Sequence, residues 1–255
     1  TGIPARAFYN CLSLTDFIIP NIVTEIGNQA FEGCLALKTI NIPDNVISIG
    51  EYAFYKCSNL ESISIGNKVA IISNYAFAEC SSLINLEMGD NVQTIGTYAF
   101  ANCINLKSIA LPETLKELNY RAFDECRSLT YIKYNAIACK CDFVNQSSVG
   151  VFRNAGQDGE GITVEIGSNV QNIPMYLFSG YGNWETPKII VVNFDKNSNC
   201  ESIGDFAFNY CSYLKTITYN GTIEEWNAII KGNEWDSMTG DYIVHCLDGD
   251  ITKNY

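Results

Sequence analysis

Residues 37–59 read L-K-T-I-N-I-P-D-N-V-I-S-I-G-E-Y-A-F-Y-K-C-S-N, and the same frame returns every 23 residues. Phe8, Phe31, Phe54, Phe77, Phe100 and Phe123 mark it. Cys11, Cys34, Cys57, Cys80, Cys103 and Cys126 trail each Phe by three positions, and Leu14, Leu37, Leu60, Leu83, Leu106 and Leu129 trail by six. Ile40, Ile63, Leu86, Ile109 and Ile132 form a further column, and Ile42, Ile65, Met88, Leu111 and Tyr134 another. Ile26, Ile49, Ile72, Ile95 and Leu118 stand five residues before each Phe, with Val23, Val46, Val69, Val92 and Leu115 three earlier still. A unit this short cannot bury such side chains alone. Stacked units can, each touching only its neighbours.

The stretch L-x-x-I-x-I ends in period-two alternation, the pattern of a strand with one buried face. Pro43 and Pro112 end that strand, because proline has no N–H to donate to a ladder. The Val and Ile three apart make a second, short buried edge. Gly27, Gly50, Gly96 and Gly204 read as tight turns. Ala-Phe-x-x-Cys has the spacing of one helical turn, with Ala and Phe inward and Cys beneath. Together these predict an α/β repeat solenoid of 23-residue coils, with a parallel sheet on one face and short helical turns on the other.

This unit resembles the BspA-type leucine-rich repeat of bacterial and some protozoan cell surfaces. The residues that carry the resemblance are Ile42-Pro43, Val46, Ile49-Gly50, Ala53-Phe54, Cys57 and Leu60, with their equivalents in each coil. It implies a right-handed leucine-rich-repeat coil with a C-terminal helix and strand cap. It also implies an extracellular or cell-surface location and an adhesive role towards host matrix protein, glycan or other cells.

The whole chain of 255 residues reads as a single solenoid. Residues 1–134 are regular coils, 135–219 irregular coils with loop insertions, and 220–255 a cap. Phe123, Phe152, Phe178 and Phe208 are spaced unevenly, yet Val164, Ile166, Val170 and Ile173 keep the offsets of Ile40, Ile42, Val46 and Ile49. The extra residues therefore fall in bulges at Asn135–Ser148 and Gly180–Thr186, and Asn154–Gly161 reads as a turn. Thr222-Ile-Glu-Glu225 is a capping box. Ile223, Trp226, Ile229 and Ile230 make one apolar stripe that covers the last coil. Residues Tyr242–Leu247 are strand-like and Asp248-Gly249 is a turn signal. Ile3 and Phe8 already hold the repeat offset, which predicts that further coils or a secretion signal precede Thr1 in the natural chain.

Sixteen Lys and Arg against 28 Asp and Glu give a formal charge of −12. Such a chain is repelled by phosphate backbones, so no nucleic acid is expected as a partner. No apolar run approaches the roughly 18 residues of a membrane span. Seven of the 11 Cys sit in the column after Phe. They read as small buried thiols or as a disulfide or metal ladder, and stacked side chains point in parallel where a disulfide needs convergent ones. Ala155 takes the same slot in an irregular coil, as a space-filling role requires. Cys139 and Cys141 form a C-x-C with no second pair at zinc spacing. His245, the single histidine, lacks a nucleophile with an orienting acid. Asp158 and Glu160 match no calcium loop, and no phosphate or dinucleotide motif is present. No cofactor, metal or catalytic residue is expected, and the chain reads as a monomer that is not an enzyme.

Outward strand residues would line one continuous sheet: Thr39, Asn41, Ser62, Ser64, Asn85, Glu87, Ser108, Ala110, Tyr131, Lys133, Thr216 and Thr218. Asn85, Glu87, Ser108, Tyr131 and Lys133 are the candidate ligand-binding set, on a face that is either a recognition surface or a solvated sheet. Tyr52, Tyr75 and Tyr98, with Tyr176 and Phe206 in equivalent places, are a candidate aromatic column. They either stack on sugars and anchor proteins or cover the neighbouring coil. The leading functional reading is a non-catalytic binding module for a protein or glycan. The alternative is a spacer that holds another domain away from the cell envelope. A third reading, hydrolysis of a polysaccharide by two carboxylates, finds its Asp and Glu at variable coil positions.

Overall fold

The computed structural model describes residues 1–141, 150–180, 182 and 185–253. The chain winds as a parallel-strand solenoid of about ten turns. Each regular coil has three faces. The long face carries strands Thr39–Ile42, Ser62–Ile65 and Asn85–Glu87, then Ser108–Leu111, Tyr131–Tyr134, Ile162–Ile166, Ile189–Phe194, Thr216–Tyr219 and Ile243–Cys246. The short face carries two-residue strands such as Glu25–Ile26, Ser48–Ile49, Ile71–Ile72 and Thr94–Ile95. Register follows the repeat: Ile40 lies beside Ile63, and Ile49 beside Ile72. The alternation predicted for the long strands is met, with Ile40, Ile42, Ile63 and Ile65 inward and Thr39, Asn41, Ser62 and Ser64 outward.

The third face corrects the expectation of helical turns and of an α/β class. Among the described residues the one α-helix is Ile223–Ala228, in the cap. Every Ala-Phe-x-x-Cys segment is a run of turns with two left-handed residues, as at Tyr52 (φ 57) and Lys56 (φ 60) or Tyr75 (φ 56) and Glu79 (φ 60). The backbone alternates its donors. The N–H groups of Ala53, Tyr55 and Cys57 close local turns on Gly50, Tyr52 and Phe54. Those of Tyr52, Phe54 and Lys56 reach the next coil at Asn74, Ala76 and Ala78, at 3.1, 2.7 and 3.0 Å. A left-handed non-glycine residue costs on the order of 1–2 kcal/mol. A buried N–H left without an acceptor costs a similar amount, so the coil-to-coil bonds hold the chain in this conformation.

The Phe column is the centre of the core. Phe31, Phe54, Phe77, Phe100 and Phe123 are fully buried and stack on one another with ring centres 5.0–5.2 Å apart. The Cys column fills space as predicted and adds a polar contact. Cys57 Sγ donates to the Phe31 carbonyl at 3.1 Å and Cys80 Sγ to Phe54 at 3.3 Å, one coil back, and Cys34, Cys103, Cys126 and Cys211 repeat this bond. Ala155 is buried in the same slot.

The repeat glycines serve close approach, not turn geometry. Gly50 and Gly96 do not have positive φ. A Cβ at Gly50 would lie 2.7 Å from Asn28 N, and one at Gly96 2.6 Å from Asn74 N, both in the preceding coil.

The irregular coils keep the core columns. Cys139 and Cys141 are buried, and Lys140 bridges to Glu117 on the short face, so Cys141 continues the Ile95–Leu118 column. The bulge predicted at Asn135–Ser148 lies beyond residue 141 outside the described residues, as do positions 181, 183 and 184 of the second bulge.

At the C-terminus the capping box forms: Glu225 N–H donates to Thr222 Oγ1 at 3.2 Å and Thr222 N–H to Glu225 Oε2 at 2.7 Å. Trp226 and Ile229 face the core, but Ile230 is 71% exposed and leaves the predicted stripe, because it pairs beside Ser202 as a short-face strand. The Phe column itself ends under Trp235, edge-on to Phe208 at 6.1 Å. In the last coil, Phe206 and Phe208 donate to Asn233 and Trp235, which sets Asp236 in the Phe slot. Asp236 accepts from Tyr242 Oη at 2.6 Å and lies 3.6 Å from Lys253. A polar residue in an inward column stops further stacking.

Candidate binding faces

The candidate set falls on the long face, but not on one continuous sheet. Asn85 and Glu87 belong to a three-stranded sheet, while Ser108, Tyr131 and Lys133 belong to a seven-stranded one. Tyr131 pairs beside Ser108, and Lys133 beside Ala110 and Glu165. The ladder stops between Asn85–Glu87 and Ser108–Leu111. This corrects the expectation of an unbroken row.

The side chains of Asn41, Ser64, Asn85, Glu87, Ser108 and Lys133 make no hydrogen bond or ion pair with the described residues. Tyr131 is the exception, its hydroxyl donating to Glu165. Burial, then that carboxylate, pushes the Tyr131 phenol up to about 12. Asn41, Ser64 and Glu87 stand in register, one per coil. They line an open groove of about 480 Å³ at the corner where the long face ends. Sequence spacing placed these residues outward; it held no signal that they would be left unpaired.

The turn face is the opposite case, because its polar groups are largely spent on each other. Tyr55 Oη donates to Glu79 at 2.7 Å, Arg6 to Gln29 at 2.7 Å, and Gln29 in turn to Glu32 at 2.7 Å. Tyr52, Tyr75 and Tyr98 are brought together as a ladder, with ring centres 4.8 and 5.1 Å apart and planes within 17°. Tyr176 and Phe206 stack likewise at 5.0 Å. Their ring faces cover one another, so edges and hydroxyls, not flat plates, meet the solvent. Arg121 closes the ladder by donating to Tyr98 Oη at 3.3 Å.

One charge network lies at the start of the irregular coils. Arg153 holds Asp124 through two bonds of 2.6 and 3.0 Å and Glu185 through a third of 2.6 Å. Burial pushes the Asp124 carboxyl up, and the Arg153 guanidinium pulls it back. Sequence analysis missed this pair, because Asp124 and Arg153 lie 29 residues apart and outside the regular frame. His245 pairs with Asp250 at 2.7 Å across the terminal hairpin. No helix of the described residues is long and apolar enough to cross a membrane.

The BspA type leucine rich repeat region matches residues 1–136 and 161–230 in six copies. The chain belongs to the BspA-type leucine-rich repeat family. No curated protein matches this family member. Among solved structures, a leucine-rich repeat protein of T. pallidum is 24% identical, with 70% of this chain and 76% of that one covered and a TM-score of 0.48. A leucine-rich repeat protein from Bacteroides ovatus is 21% identical over 94% of this chain and 87% of the other, with a TM-score of 0.43. The pneumococcal vaccine antigen PcpA is 16% identical over 93% and 81%, with a TM-score of 0.37. The BspA-type repeat thus accounts for the columns.

Proposed function

We propose that this BspA-type repeat protein is a non-catalytic adhesion module at the cell surface, binding a protein or glycan through its long face. The observation that carries this reading is the unpaired row of Asn41, Ser64, Asn85, Glu87, Ser108 and Lys133. A polar side chain with no internal partner exchanges its hydration for a ligand's hydrogen bonds at little cost, whereas one already bonded must first be released. The tyrosine ladder is the weaker candidate, since its ring faces are already covered. Family membership supports the surface location and the binding class.

The test uses labelled host matrix proteins and glycans against the whole chain. Binding of one partner, weakened at least about tenfold by Glu87→Ala with Lys133→Ala and unchanged by Lys56→Ala on the turn face, supports the reading; tenfold corresponds to about 1.4 kcal/mol. Binding lost only with turn-face substitutions moves the contact surface there. A folded protein that binds nothing in a broad panel favours the spacer reading.

A further inference from the structure

We propose that the solenoid carries a hinge between strands Asn85–Glu87 and Ser108–Leu111, where the long-face ladder is interrupted ahead of Pro112. The residue after each long strand faces the coil before it. In three coils its N–H bonds that coil: Asn135 donates to Leu111 O at 3.2 Å, Gly167 to Tyr134 O at 2.9 Å and Asp195 to Ile166 O at 2.9 Å; Gly66 and Asn220 hold the same place without that bond, and their strands pair nonetheless. Pro43 and Pro112 occupy this place and have no N–H. Thr39–Ile42 and Ser108–Leu111, the two strands that run into these prolines, begin new sheets. Every other long-face strand named above pairs with the strand before it.

At Pro43 the fault lies beside the first coil, which has no long-face strand to pair with. At Pro112 it lies inside the array. There, Leu86 and Met88 are half-buried, whereas Ile63, Leu111 and Ile132 in the same columns are fully buried. Two side chains stitch the ends of the fault: Asn105 Nδ2 donates to Ser81 O at 2.9 Å and Thr114 Oγ1 to Asp90 O at 2.6 Å. The other two faces stay joined. Thr94–Ile95 pairs with Glu117–Leu118, and Phe100 N–H bonds Ala122 O at 2.8 Å. Phe100 and Phe123 stack at 5.2 Å. Opening is therefore confined to the long face and pivots about the opposite edge. Glu87 and Lys133 lie on opposite sides of the fault, so its motion changes their spacing. The hinge itself stands without the binding proposal.

Hydrogen exchange resolved to single amides on the full chain tests it. In the unaltered protein, the amides of Ser108 and Ala110 should exchange at least about tenfold faster than those of Tyr131 and Lys133, the equivalent donors one coil on. Pro112→Asn supplies the N–H that Asn135 uses and should slow both by about the same factor. Equal protection of the two pairs in the unaltered chain overturns the hinge. Unchanged exchange in folded Pro112→Asn overturns the role of the proline. Should that variant not fold, the first comparison still decides whether the hinge exists.

Discussion

Replacing Phe77 by Ala probes the central column directly. The ring is fully buried and lies between Phe54 at 5.0 Å and Phe100 at 5.2 Å. Truncating a buried Phe costs about 3–5 kcal/mol, the spread reflecting how far the site collapses. Collapse is blocked here. The flanking backbones are fixed by Phe54 N–H on Ala76 O at 2.7 Å and Phe77 N–H on Ala99 O at 2.8 Å, and a stacked partner is lost on each side. The expected cost is at the top of the range, about 5 kcal/mol. With a urea m-value near 3 kcal/mol/M, the midpoint falls by roughly 1.7 M. Phe8→Ala is the internal control. Phe8 is half-buried, stacked on Phe31 at 5.0 Å with Phe17 tilted against it at 4.6 Å, so its truncation should cost about 2 kcal/mol. A loss below about 1 kcal/mol at Phe77, or equal losses at the two positions, would refute the stacked-column account.

The buried thiols should resist alkylation in the native protein and react only as it unfolds; rapid native labelling of Cys57, Cys80 or Cys103 would contradict their burial. Burial also raises their pKa, from an ordinary 9.0 to about 11 for Cys34 and well above the ordinary value for Cys80 and Cys103. Above pH 9 the unfolded chain therefore loses protons that the folded chain keeps. The contribution is fully present below about pH 9 and is lost as pH rises towards 11, by about 1.4 kcal/mol per unit for each thiol still protonated. Denaturation midpoints under reducing conditions should stay level through neutrality and then fall; a rise above pH 9 would reverse the sign. Arg153→Ala leaves Asp124 buried and unpaired and should cost about 3–5 kcal/mol by thermal or chemical unfolding. Lys56→Ala removes an exposed pair with Glu79 and should cost under about 1 kcal/mol. Thr222→Ala should cost about 1 kcal/mol through loss of the N-cap bond, read as a lower midpoint for the cap.

The repeat frame was legible because each column is a burial requirement met at every revolution. Phe, Cys and Leu at fixed offsets leave no other arrangement that hides them all, and Val164 and Ile166 carried the frame past the insertions. The outward set on the long face was legible for the same reason, since a strand with one buried face puts alternate residues in solvent. The turn face was not. Ala-Phe-x-x-Cys suits one helical turn as well as two linked turns, and the choice depends on acceptors such as Asn74 and Ala76 in the next coil.

The sequence by itself determined that this chain coils, how long each coil is and which side chains fill it, because those follow from periodicity and burial. Only the tertiary structure decided what happens between coils. There a thiol finds a carbonyl one turn back, a glycine admits the neighbouring backbone, tyrosines hide their faces against each other, and the sheet is interrupted between Glu87 and Lys133. Each of these depends on which backbone group stands about 5 Å away along the axis, a neighbour 23 or more residues distant that no local pattern records.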